Sequence, residues 1–478
     1  MPRLLGLKVF LAACALAWAA LPFDLFSAEQ AFSERGYYLT FMRMPTYGLE
    51  AWKSIIDDVH DDGGNLLILW TAGAFRSKKY PVTWKYNADH ENVKSDFLGN
   101  LIDYAHSRKI KIVLGFTPFG YDGVNQFSLE KPRLRATGPD GKSVASFGIG
   151  CWGYNLCPSR PESQKFMSEY LLEMVGRYPH ADGLLVESSD YAICHCDDCG
   201  PNYFNKEFQF VKSMSETVWA RKPEAQIYLY PHYFSGAKVP GFGVNAAKLL
   251  FDARWGLFFT PHSALPDADL IKRARKSIYW DDSPARRLPE QVKAGALRAR
   301  EIGVTGYVPS LETFSFISTN GEENSPWTKN RRQIPLGMGW LAQGQSPYRE
   351  IPLRLQRIAY REFSRDPDLT LDEYRKVACK EILGQHATSQ DITDLFDLQA
   401  VFAFNRTWCQ PSPAVSRDRY EGMKAGNSLD TETEKRIREF HLRLNTILTN
   451  AENKKGEGYA QIAKICQWVL MQWRGTGN

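Results

Sequence analysis

The sequence predicts an α/β fold, a (β/α)8 barrel followed by a C-terminal helical domain, and three observations lead there. From Gly36 onward, about eight short apolar runs alternate with amphipathic segments over about 280 residues, the pattern of a parallel sheet with helical crossovers. No glycine-rich phosphate or dinucleotide fingerprint follows any of these runs, which removes the usual reason for an open nucleotide-binding sheet. From about Arg331 the apolar spacing becomes wholly helical.

Taken in order, the first strand is expected at residues 37–44, with a helix near 49–60. Residues 65–71 form the second strand. In its helix, 96–107, Phe97, Leu98, Leu101, Ile102 and Ala105 share a face. The third strand is 111–117. After a long loop, Ser159 and Glu162 have the spacing of a capping box, and Phe166, Met167, Tyr170, Leu171, Met174 and Val175 give the next helix its buried face. Strands four and five are 183–187 and 226–230, and the sixth lies within 249–260 without a fixed register. The seventh is 277–280, its helix 288–302, and the eighth strand 304–308. Five helices are expected beyond, at 352–365, 371–383, 392–404, 431–452 and 458–473. The chain thus divides into a leader (1–28), a barrel (29–330) and a helical domain (331–478).

The leader is read from Arg3 and Lys8, followed by an uncharged apolar stretch from Val9 through Pro22, the two regions of a secretory signal. Small residues at Ala17-Trp18-Ala19 and at Ser27-Ala28 offer two cleavage sites, and either yields a secreted or periplasmic protein. Cys14 sits in a sequence like a lipoprotein box, but Lys8 interrupts the apolar run before it and the run after it is too long, so anchoring there is the lesser expectation. No later segment has the roughly 20 uninterrupted apolar residues of a membrane span. A net charge of +5 without a lysine or arginine block gives no reason to expect nucleic acid. The 13 Trp, 22 Tyr and 27 Phe are enough to supply stacking platforms for sugars, though most must serve the core.

In such a barrel the active site lies at the C-terminal ends of the strands. The polar residues expected there are Arg43, Trp70, Glu187, Asp190, His232, Asp252, Asp281, Asp282 and Glu312. Several are carboxylates, and a carboxylate pair across a cleft is the minimal machinery for hydrolysing a glycosidic bond. Glu187 follows Leu184, Leu185 and Val186 directly, so the core anchors its Cα while its carboxyl emerges at the cleft. It is the candidate general acid; its alternative use is a salt bridge to Arg43 or Arg254. Asp281 and Glu312 are the candidate partners, each at the end of a strand. Trp70, Trp152, Tyr233 and Trp280 are candidate stacking surfaces, and Asp190, His232 and Asp282 candidate substrate contacts. A partner carboxyl about 5–5.5 Å from Glu187 would imply retention of configuration, and one about 6.5–9.5 Å away inversion.

Cys194, Cys196 and Cys199 form C-x-C-x-x-C, with Cys151 and Cys157 upstream. In an exported protein this is first read as a disulfide framework. The other reading is a closed structural zinc site made of Cys157, Cys194, Cys196 and Cys199. Neither requires a catalytic metal or a cofactor, and both clamp the loop after Glu187.

The segment LCPSRPE (156–162), its helix, and HADGLLVESSDYAICHCDDC (180–199) resemble barrel glycoside hydrolases related to the α-glucuronidases, the β-hexosaminidase-like enzymes and a group of secreted bacterial endo-β-N-acetylglucosaminidases. REFSRDPDLTLDEY (361–374) resembles the start of the helical domain of the α-glucuronidase group. The resemblance implies a carbohydrate substrate and an acid at the end of the fourth strand, Glu187 here. The adjacent Asp-Glu of the hexosaminidases is absent, because Val186 precedes Glu187, and so is the Asn-Glu of many retaining enzymes. The implied function is a secreted glycoside hydrolase. The alternative is a catalytically silent barrel that binds glycans or cell-wall polymers.

Overall fold

The computed structural model describes residues 31–41, 47–88, 90–121, 123–148, 151–188, 193–230, 251–260, 268–281, 288–311, 346–351, 353–403 and 412–474. The proposed leader therefore lies outside the described residues. Eight parallel strands close into a barrel: β1 (Glu34–Leu39), β2 (Leu66–Trp70), β3 (Lys111–Phe116), β6 (Gly183–Val186), β7 (Gln226–Leu229), β8 (Trp255–Phe259), β9 (Ser277–Asp281) and β10 (Gly306–Pro309). Around the barrel they follow chain order, and β10 closes against β1 with Glu34 opposite Gly306. β4 (Ala145–Gly148) and β5 (Cys151–Tyr154) form a separate antiparallel hairpin in the loop after β3. The sequence reading had no element there.

The apolar runs are strands because both of their faces are covered. Every residue of β2, β6, β7, β8, β9 and β10 is buried, between the barrel interior and the helical layer. Strand edges differ from the sequence reading by at most five residues, and the unplaced sixth strand is β8. Among the helices, Leu49–Asp61, Leu98–Ser107 and Pro289–Ile302 stand where their periodicity put them, and Tyr203–Arg221, the helix between β6 and β7, is an addition. The capping box at Ser159 does not form. Helix Pro161–Arg177 begins after Arg160, Ser159 Oγ hydrogen-bonds Cys199 Sγ at 2.9 Å, and Glu162 pairs with Arg133.

Beyond the barrel lie the helices Leu353–Arg365, Leu371–Leu383, Ser389–Ala403, Arg417–Ala425, Thr431–Glu452 and Glu457–Arg474. The first of them docks this region onto the barrel. Its Tyr360 ring lies 5.9 Å from that of Tyr307 on β10, and its arginines enter a buried ionic cluster. Arg357 Nη1 is 2.8 Å from Asp58 Oδ2, Arg357 Nε is 2.9 Å from Asp62 Oδ2, and Arg361 Nη1 is 3.5 Å from Asp62 Oδ1. Tyr37 Oη of β1 donates to Asp62 Oδ2 at 2.9 Å. A second tie runs from Arg300 to both carboxylate oxygens of Asp368, at 2.7 and 2.9 Å. Asp368 precedes helix Leu371–Leu383, which opens with a complete capping box between Thr370 and Glu373.

Candidate active site

Side chains along a barrel strand alternate between the interior and the helical layer, so register decides what reaches the mouth. In β6, Leu184 and Val186 line an apolar seam with Leu171, Phe210, Val211, Met214 and Val218 of the flanking helices. They face outward; Leu185 and Glu187 therefore face the interior. Pairing continues past the last strand residue: Glu187 N–H donates to Phe116 O at 3.0 Å, and Tyr230 N–H to Val186 O at 3.0 Å. Glu187 is thus held from both neighbouring strands at the C-terminal mouth, half-buried. The residue after it is held too, since the buried Ser188 Oγ donates to Glu207 Oε2 at 3.0 Å, from helix Tyr203–Arg221.

The interior just below the mouth is aromatic. The Trp280 ring lies 4.8 Å from Tyr38, 5.1 Å from Phe258 in a stacked arrangement, and 5.8 Å from Tyr230 edge-on. Trp70 fills another part, its ring 5.9 Å from Tyr121. Gly115 makes room for it, because a Cβ there would lie 3.1 Å from the indole. Three buried polar atoms on this same interior side, Trp280 Nε1, Thr117 Oγ1 and Ser310 Oγ, have no hydrogen-bond partner among the described residues. Tyr38, Thr117, Tyr230, Phe258 and Ser310 were missed by the sequence reading, because strands buried on both faces carry no sign of which parity faces the interior.

Asp281 does not face Glu187. With Trp280 inside, Asp281 must point outward, and there it is fully buried against helix Pro289–Ile302. Its Oδ2 accepts from Tyr307 Oη at 2.8 Å, and the same hydroxyl lies 3.3 Å from Val292 O. The helix carries Gly295 at this point, where a Cβ would sit 2.6 Å from Tyr307 Oη and 3.2 Å from Asp281 Oδ2. Asp281 is a structural carboxylate of the helical layer. Asp252 is also displaced from the mouth. It precedes β8, at the opposite end of the barrel, and is engaged by Arg254, whose Nε is 3.0 Å from Asp252 Oδ1. The Arg254 guanidinium holds the Asp252 carboxyl below its ordinary range. Arg254 also contacts Glu216 at 2.6 Å, so it is not the salt-bridge partner considered for Glu187. Arg43, Asp190, His232, Tyr233, Asp282 and Glu312 lie outside the described residues.

The cysteines gather beside this mouth. The Sγ atoms of Cys157, Cys194, Cys196 and Cys199 all lie within 4.8 Å of one another, with Cys157 3.7 Å from Cys196 and 3.5 Å from Cys199. None of these four is in a disulfide, and neither are Cys379 and Cys466. The expected disulfide framework is absent from this cluster because all four sulfurs converge on one point instead of pairing off. Nearby N–H and O–H groups point at the sulfurs: Thr137 N–H reaches Cys194 Sγ at 3.3 Å, and Ser159 Oγ meets Cys199 Sγ. Thiol hydrogen bonds from Cys157 and Cys199 hold Cys194 far below the ordinary thiol range, while the same crowding pushes Cys157 far above it.

No family profile matches the sequence, and no curated protein does either. A solved structure shares its fold. A GH138 enzyme targeting pectin rhamnogalacturonan II superposes with a TM-score of 0.54 at 11% identity, over 92% of this chain and 56% of that enzyme. The chain therefore spans little more than half the length of that enzyme. A β-N-acetylhexosaminidase from Bacteroides fragilis gives a TM-score of 0.49 at 13% identity, over 74% of this chain and 70% of that one. A chitobiase from Flavobacterium johnsoniae gives 0.46 at 13% identity, over 92% and 70%. The fold is that of a (β/α)8 barrel with a helical C-terminal region.

Proposed function

We propose that this protein is an exported glycoside hydrolase that cleaves glycosidic bonds of a polysaccharide or glycan, with Glu187 as general acid. The observation that carries this reading is the place of Glu187, fixed by backbone pairing on the interior face at the barrel mouth, above the aromatic floor of Tyr38, Tyr230, Phe258 and Trp280. A carboxyl at the rim of such a barrel is placed to protonate the glycosidic oxygen of a sugar bound at the mouth. With Asp281 committed to the helical layer, the second carboxylate in this reading is Glu312, two residues beyond Ser310. The shared barrel fold is consistent with the assignment, and the rhamnogalacturonan II targeted by the GH138 enzyme is the first substrate to try.

The test is release of reducing sugar from a panel of pectic and other polysaccharides by the wild type and Glu187→Gln. Turnover by the wild type and a loss of about 100-fold or more in the variant is expected. Equal turnover by both removes Glu187 from the chemistry. Tight binding of one glycan with turnover by neither supports the silent glycan-binding barrel instead.

A further inference from the structure

We infer that Cys157, Cys194, Cys196 and Cys199 bind one zinc ion, and that this ion fastens the rim segment that follows Glu187. The relative positions of the sulfurs point to the ion whether or not the barrel is a hydrolase. Four thiolates around zinc at about 2.3 Å in a tetrahedron have sulfurs about 3.8 Å apart. The separations of 3.5 and 3.7 Å, with every pair within 4.8 Å, match that arrangement, whereas a disulfide needs sulfurs about 2.05 Å apart. Three of the four sulfurs belong to buried residues.

The backbone around the site is arranged as a thiolate cage requires. Cys199 N–H and Gly200 N–H both turn back onto Cys196 O, at 3.0 and 2.7 Å, which folds Cys196-x-x-Cys199 into a tight knuckle with both sulfurs on one side. Thr137 N–H and the Ser159 hydroxyl provide the outer hydrogen bonds that stabilise metal-bound sulfur. With no histidine or carboxylate in the set and four protein ligands, the site is closed, so it is structural and has no open position for catalysis. Tetrahedral sulfur-only coordination selects zinc or iron, and the exported state proposed above favours the redox-inert zinc.

The cage joins three distant parts of the chain. Cys157 follows the β4–β5 hairpin, and its N–H donates to Leu134 O at 2.8 Å. Cys194, Cys196 and Cys199 lie on the connection from β6 to helix Tyr203–Arg221. His195 N–H donates to Thr137 O at 2.6 Å, bringing in the segment before the hairpin. One ion would thus hold a loop whose first ligand, Cys194, stands seven residues after Glu187, and tie it to the preceding βα connection.

The test uses the full-length protein, purified without chelator or added metal. Elemental analysis is expected to find one zinc per chain, and a mercurial titration should release that zinc as four thiols react. Cys194→Ser and Cys199→Ser should retain less than about a tenth of the zinc and melt at lower temperature. Zinc-free wild-type protein overturns the inference, whether mass analysis after alkylation shows two disulfides or four free thiols. Iron at unit stoichiometry overturns the identity of the metal. The wild-type measurements decide the matter even if the serine variants fail to fold.

Discussion

Replacing Arg357 with methionine keeps most of the side-chain stem but removes the charge at the centre of the junction between the barrel and its C-terminal helices. Asp58 and Asp62 are each only 4% exposed, and Arg357 is the counterion they share, at 2.8 and 2.9 Å. Burial holds the Asp62 carboxyl up at about 6 against its ordinary 3.8, even with Arg357 and Arg361 pulling it down. That shift means that ionising Asp62 in the native state costs about 3 kcal/mol relative to the unfolded chain. Removing one partner of a buried ionic cluster costs about 3–5 kcal/mol. At roughly 2 °C per kcal/mol for a chain of this size, Arg357→Met should melt about 6–10 °C below wild type at pH 7.

The sign with pH follows from the raised carboxyl. The native state binds the Asp62 proton more tightly than the unfolded chain, so its contribution to stability is complete below about pH 4 and is lost as pH rises through about 6. Without Arg357 the carboxyl moves higher still, and protonating it relieves more of the penalty. Thermal unfolding followed by circular dichroism at pH 5 and pH 7.5 should therefore show the variant's deficit shrinking at the lower pH. A deficit that is absent, or is the same at both pH values, refutes the reasoning.

Other outcomes follow from single contacts. Gly295→Ala should destabilise by about 2 kcal/mol despite its better helix propensity, because the new Cβ would meet the Tyr307 hydroxyl at 2.6 Å; denaturant unfolding measures it. Tyr307→Phe should cost about 1–3 kcal/mol by depriving the buried Asp281 of a hydrogen bond, and Gly295→Ala should cost less in that background than alone. Thr370→Ala should cost about 1 kcal/mol through loss of the capping box with Glu373, measured the same way.

The barrel was legible because its strands are short apolar runs separated by helices with one apolar face, and both patterns survive in a single sequence. Strand orientation was not. In GLLV or SIYWD both faces are buried, so nothing in the residue types says which parity faces inward. Glu187 was assigned to the mouth by its position at the strand end, and its register agrees; Asp281 was assigned on the same argument, and its register turns it to the helices. Asp252 was misplaced because the start of β8 could not be fixed among Leu249, Leu250, Phe251 and the aromatics that follow. Ser159 and Glu162 have capping-box spacing, but the Cys199 thiol and Arg133 engage them instead. The cysteine spacing identified the cluster correctly and left its chemistry open, which only the relative positions of the four sulfurs address.

The central claim is that Glu187 donates a proton to the departing sugar oxygen, and the most direct measurement compares two leaving groups. Once a substrate is known, kcat/KM of wild type and Glu187→Gln is measured on that glycan and on a dinitrophenyl glycoside of the same sugar, whose leaving group needs little protonation. A loss of about 100-fold or more is expected on the glycan and a much smaller loss on the activated glycoside. Equal losses on both substrates, or no loss on either, would contradict it.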